Sequence, residues 1–157
     1  MSMKKSSVVV TAVIIAMIIA VISMYKLMSV QAKDSLEITG AWVPLSPPKA
    51  KIMAAYLKIK NPTGKMIEVT NISSPDFANV MIHETIVKDG VSRMEMRSKL
   101  LLEPGEEVVL QRGGLHLMLM YKKRVLTTKD TVILNFTTSA GPISISAPVK
   151  VAAIDGE

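Results

Sequence analysis

The 157 residues contain two histidines, and both stand among methionines. His83 follows Met81 at a spacing of two in "VMIHE". His116 precedes Met118 and Met120 at the same spacing in "GGLHLMLMYK". Two is the side-chain period of a β-strand. The second stretch therefore sorts into a leucine face, Leu115, Leu117 and Leu119, and a face of His116, Met118 and Met120. A leucine face needs only a core. The other face carries imidazole and thioether, and "SRMEMR" adds Met94 and Met96 at strand spacing. The donor set singled out is His83, Met94, His116 and Met118. Imidazole serves several transition metals, but thioether is soft and selects Cu(I). Mg²⁺, Ca²⁺ or Mn²⁺ would call for carboxylates, and no acidic cluster accompanies these residues. Four neutral donors leave a Cu(I) site with a single positive charge, which tolerates partial burial better than a dication does. A lone methionine on a strand is more commonly core filler, and a lone histidine is more commonly a surface or hydrogen-bonded residue. The weight lies in the joint pattern, which takes up both histidines of the chain.

Other chemistries are closed off. There is no cysteine, which removes thiol redox chemistry, cysteine nucleophiles, iron–sulfur clusters, zinc fingers and the His/Cys copper centre of blue electron-transfer proteins. Two histidines and scattered carboxylates give no credible Ser/His/Asp set. A binding protein, not an enzyme, is expected. The net charge of +6 falls to +3 once Lys4, Lys5 and Lys26 are set aside. The remaining charges are interspersed, which argues against a nucleic-acid interface.

The donors need strands to hold them. After Ala32 the chain runs as short β-rich stretches broken by "NPTG", "SSPD", "KDG", "EPGE", "RGG" and "SAGP", each with residues suited to turns. Val132, Leu134 and Phe136 alternate onto one face, as do Ile143, Ile145, Ala147 and Val149 with Ser144 and Ser146 pointing outward. Many short strands with turns between them predict an all-β antiparallel sandwich or barrel. "KDG" reads as a hairpin turn that sets the strand of His83 beside that of Met94. "RGG" returns the chain for a third strand, carrying His116. Trp42 and Pro44 are assigned to packing.

The first 32 residues read differently. Lys4 and Lys5 precede an apolar run from Val8 to about Tyr25, and small residues at Val30 and Ala32 follow. This is a basic, apolar, small-residue export pattern. The apolar run is long enough to approach a membrane span, so residues 1–32 are either a cleaved signal peptide or a retained N-terminal membrane anchor. The domain of residues 33–157 is expected in the periplasm or otherwise outside the cytoplasm.

The donor spacing is His83, ten residues, Met94, twenty-one residues, His116, one residue, Met118. This resembles the H-x10-M-x21-H-x-M signature of the periplasmic Cu(A) chaperones, the PCuAC family. "AWVPLSPP", "AAYLKIKNPTG", "HETIVKDGVSRMEMR", "EPGEEVVLQRGGLHLMLM" and "KDTVILNF" resemble that family's blocks in the same order, over roughly residues 36–151. The resemblance implies a cupredoxin-like β-sandwich and Cu(I) held by His83, Met94, His116 and Met118. It also implies delivery of copper to a partner, the Cu(A) domain of a haem–copper cytochrome oxidase. Copper storage or resistance in the cell envelope is the alternative that the sequence leaves open.

Overall fold

The computed structural model describes residues 34–152 together with Ile15, Met17 and Ile18. The chain divides into two compact units, Met1–Asp34 and Ser35–Glu157. Of the first, Ile15, Met17 and Ile18 are helical and exposed, and Asp34 lies in a bend. The rest of the export segment expected over residues 1–32 lies outside the described residues. Among the described residues no helix is long and apolar enough to cross a membrane.

The second unit is built of strands: β1 (Glu37–Pro44), β2 (Ile52–Lys60), β3 (Ile67–Ser73), β4 (Phe77–Lys88), β5 (Val91–Arg97), β6 (Leu100–Leu102), β7 (Glu107–Leu110), β8 (Leu115–Lys122), β9 (Thr131–Thr138) and β10 (Gly141–Lys150). They follow one hydrogen-bonded path, β5-β4-β8-β2-β1-β10-β9-β3-β6, with β7 pairing to β2. β1 changes partner along its length. Its residues Glu37–Trp42 pair antiparallel with Lys60–Tyr56 of β2, with a shift in register beyond Thr39. Val43 and Pro44 then run parallel to Val149 and Lys150 of β10. Gly40 sits in the irregularity with φ 61°, a backbone conformation that a Cβ would oppose. This switch carries the path from one layer of a β-sandwich to the other. Among the described residues it is the one parallel pairing, and it joins β1 to β10.

The core lies between the layers. One side contributes Met53, Ala55, Leu57, Ile59, Ile82, Leu110, Leu117 and Leu119, and the other Val69, Ile72, Val132, Leu134, Phe136, Ala147 and Val149. The two alternations expected of β9 and β10 are present, with Val132, Leu134 and Phe136 buried and Ser144 and Ser146 exposed. β6, "LLL", is too short for its sequence to show alternation. Its Leu102 is nonetheless fully buried, and Leu100–Leu102 pairs with Val69–Ile67 of β3.

"NPTG" turns out to be more than a turn. Asn61 is fully buried. Its Nδ2 donates to the carbonyls of Lys65 (2.8 Å), Leu102 (2.9 Å) and Glu103 (3.1 Å), and its Oδ1 accepts from the N–H and hydroxyl of Thr63. Its backbone N–H and carbonyl bond Glu106 and Gly105. One amide thus satisfies carbonyls from two loops that would otherwise be buried without partners.

Candidate metal centre

Three neighbouring strands carry the donors. β4 and β5 form a hairpin closed by Asp89 and Gly90, both at positive φ (54° and 75°). That is the backbone of a two-residue turn whose twist matches the strands it joins. The turn fixes the register, pairing Lys88 with Val91, Thr85 with Met94 and His83 with Met96. β8 lies on the other side of β4, pairing His83 with His116 and Met81 with Met118. Gly113, at φ 75°, turns the chain into β8, and the Gln111 N–H bonds the Leu115 carbonyl at 2.7 Å.

Directly paired residues on adjacent strands share a face. Met81, His83, Met94, Met96, His116, Met118 and Met120 therefore all lie on one face of the β5-β4-β8 sheet. The opposite face of β8 is Leu115, Leu117 and Leu119, with Leu117 and Leu119 at 0% exposure. The leucine face is the core face, and the histidine and methionine face is the outer one. The residues of the donor face over 81–87 and 92–96, together with His116, Met118 and Met120, carry no fixed charge. Glu84, Glu95, Arg93 and Arg97 take the opposite positions on β4 and β5, and Arg97 pairs with Glu84 through its Nε at 2.8 Å and through its terminal nitrogen.

The structure brings His83 and His116 face to face, with ring centres 6.2 Å apart and planes inclined at 40°. A nitrogen–metal bond is about 2.0–2.1 Å and the ring nitrogen stands roughly 1.2 Å from its centre, so two imidazoles sharing one ion have centres up to about 6.5 Å apart. The observed separation fits. The two rings are prepared differently. Nδ1 of His116 donates to the Gly114 carbonyl at 2.9 Å, which places the proton there and leaves Nε2 as the lone-pair donor, the arrangement usual for a metal-bound histidine. Both ring nitrogens of His83 are buried and have no hydrogen-bond partner. Burial, and then the neighbouring His116, hold the His83 pKa below its usual 6.5, which keeps the ring neutral and able to coordinate.

Met118 follows His116 on β8 and stands opposite Met81, half-buried. Met94 is placed less directly. It faces Thr85, one pair away from His83, and is 62% exposed. Met96, not Met94, is the residue paired with His83, and it is 60% exposed. Counting outward from the Asp89-Gly90 turn would have revealed this. Both methionines belong to β5, the outermost strand of the path, every residue of which is exposed. Among the described residues no cluster of three or more His, Cys, Asp or Glu side chains could hold a metal. The donors gathered here are imidazole and thioether alone, a set suited to a soft monocation.

A second feature was not anticipated. Trp42 and Tyr56 pair across β1 and β2, their rings tilted at 56° with centres 5.2 Å apart. They line a cavity of about 290 Å³ with Lys58, Val109 and Arg112. Tyr56 follows Ala54 on β2, and Ala54 is the partner of Met118, so this cavity opens on the same outer face as the donors.

Residues 36–149 match the LpqE-like family. Lxx21020 of Leifsonia xyli subsp. xyli, named as a lipoprotein, is 29% identical over 119 residues, covering 74% of this chain and 70% of that one. DR1885 of Deinococcus radiodurans, solved in solution with Cu(I), is 30% identical, with a TM-score of 0.58 over 71% of this chain and 75% of the other. The copper-bound PCuAC domain from PmoF2 superposes with a TM-score of 0.63 over 74% of this chain and 93% of that domain; at 18% identity it supports the fold alone. From the match over nearly all of the strand-built unit, the chain belongs to the LpqE-like family, and its fold is that of the PCuAC domains.

Proposed function

We propose that this protein is an extracytoplasmic metallochaperone that binds one Cu(I) through His83, Met94, His116 and Met118 and delivers it to the Cu(A) centre of a haem–copper oxidase. The observation that carries the reading is His83, with two buried ring nitrogens and no partner. A buried polar group without a partner is destabilising by about 1–3 kcal/mol, and a soft ion shared with His116 relieves it. The copper-loaded relative DR1885 supports the same reading. Thioethers hold Cu(I) without charge, and thiolates in an acceptor are stronger soft ligands, so transfer runs downhill. The exposed position of Met94 at the sheet edge leaves an acceptor room to approach.

The relative's name as a lipoprotein supports placement at the cell envelope. A lipid held through a cysteine thioether is not available to these 157 residues, which include no cysteine. The apolar run from Val8 to about Tyr25 would be what carries this chain out and, if retained, what anchors it. Fractionation with a C-terminal tag should find the protein outside the cytosol, and the mass of the exported form distinguishes cleavage after Ala32 from full-length retention. Recovery in the cytosol contradicts the assignment.

Delivery is tested by mixing the Cu(I)-loaded protein with an excess of the soluble Cu(A) domain of an oxidase and following both by mass spectrometry. Copper should move to the acceptor. If it stays, delivery is wrong and storage or resistance takes its place. In cells, loss of the gene should impair oxidase assembly, and the His83→Ala/His116→Ala variant should not restore it.

A further inference from the structure

The outer face carries more thioethers than one Cu(I) ion uses. Seven donors share it, and the proposed function assigns four. Met81, Met96 and Met120 are left over, and of these Met81 and Met96 lie together. His83 pairs with Met96 across β4 and β5, so Met81, two residues before His83, is the diagonal neighbour of Met96. Such neighbours stand about 7–8 Å apart along the backbone, within reach of long side chains. Both line one cleft of about 480 Å³, bordered also by Asn71, Ser73, Asn79 and Lys123. Arg97 lies at the same cleft and is already paired with Glu84. No carboxylate is among the described residues that line it, so it offers a hard dication no charged ligand. Among the described residues that line it, the soft donors are the thioethers of Met81 and Met96.

We propose that Met81 and Met96 form a second Cu(I) position, weaker than the first and immediately beside it. It rests on the reading of this face as a soft-metal site. Two thioethers with no imidazole make a poorer donor set than two thioethers with two imidazoles, so the second ion binds at least about tenfold more weakly, about 1.4 kcal/mol. Each of its donors adjoins the first site: Met96 is paired with His83, and Met81 with Met118. An ion held there is one ligand exchange from the histidine pair.

The test uses the full-length chain in detergent micelles, with methionine methyl groups labelled with ¹³C, titrated anaerobically with Cu(I) while the methyl and imidazole NMR signals are followed. The first equivalent should move the rings of His83 and His116. The second should move the methyls of Met81 and Met96 at higher free Cu(I). The Met81→Leu/Met96→Leu variant, chosen to conserve volume, should lose the second phase and keep the first within twofold. The inference is overturned if the Met81 and Met96 methyls stay still through three equivalents, if they shift together with the first, or if the double variant keeps the second phase. Histidine rings that stay still while these two methyls move would refute the proposed chaperone site and leave the thioether position standing.

Discussion

Replacing His83 with leucine separates a structural histidine from a metal ligand. In the metal-free protein both ring nitrogens of His83 are buried without partners, and such groups are destabilising by about 1–3 kcal/mol. Leucine fills a similar volume and removes both. His83→Leu should therefore stabilise the metal-free protein by about 1–2 kcal/mol, or roughly 4–8 °C in Tm for a domain of this size. The pH dependence has a definite sign. The folded-state pKa of His83 lies below 6.5, so the unfolded chain binds more protons in that window and stability rises with pH there. The stability associated with neutral His83 is complete above pH 6.5 and is lost as pH falls toward the depressed folded value. His83→Leu should flatten this fall. Urea denaturation monitored by circular dichroism, between pH 5 and 8, measures both effects. Cu(I) affinity should collapse in the same variant. A loss of stability accompanied by unchanged Cu(I) binding would refute the argument and make His83 a packing residue.

His83→Ala/His116→Ala should lower Cu(I) affinity at least about 100-fold, about 2.8 kcal/mol, with the far-ultraviolet spectrum unchanged, because both side chains lie on the outer face; competition with a Cu(I) chelator measures it. Met94→Ala/Met118→Ala should weaken Cu(I) binding more than any Cu(II) binding, since the imidazoles remain and the soft donors do not; equal loss for both oxidation states would argue against thioether ligation. Asn61→Ala should destabilise the fold by about 2–4 kcal/mol, because it strands buried carbonyls of two loops, a change visible in the urea midpoint.

The donor face was legible in the sequence because strand periodicity alone sorts His116, Met118 and Met120 from the leucines. The two-residue turn at Asp89-Gly90 likewise announced the hairpin. The strand order was not legible. That β8 lies between β4 and β2 depends on long-range pairing that no local pattern encodes. The parallel contact of Val43 with Val149 joins residues from the two ends of the unit. The role of Asn61 was hidden because the same residue type suits an exposed turn; only the packing of the β6–β7 loop over it makes it a buried hub. The pairing of His83 with Met96 follows from the two-residue turn, whereas the four-residue signature contains Met94.

The central claim is that two imidazoles and two thioethers hold one Cu(I). X-ray absorption at the copper edge, on the full-length chain loaded with one equivalent under anaerobic reduction, tests it most directly. The expected spectrum has a Cu(I) edge and a mixed shell of two nitrogens and two more distant sulfurs, and the nitrogens should vanish in His83→Ala/His116→Ala. A shell of oxygen and nitrogen without sulfur, or a nitrogen shell that survives the double substitution, would contradict it.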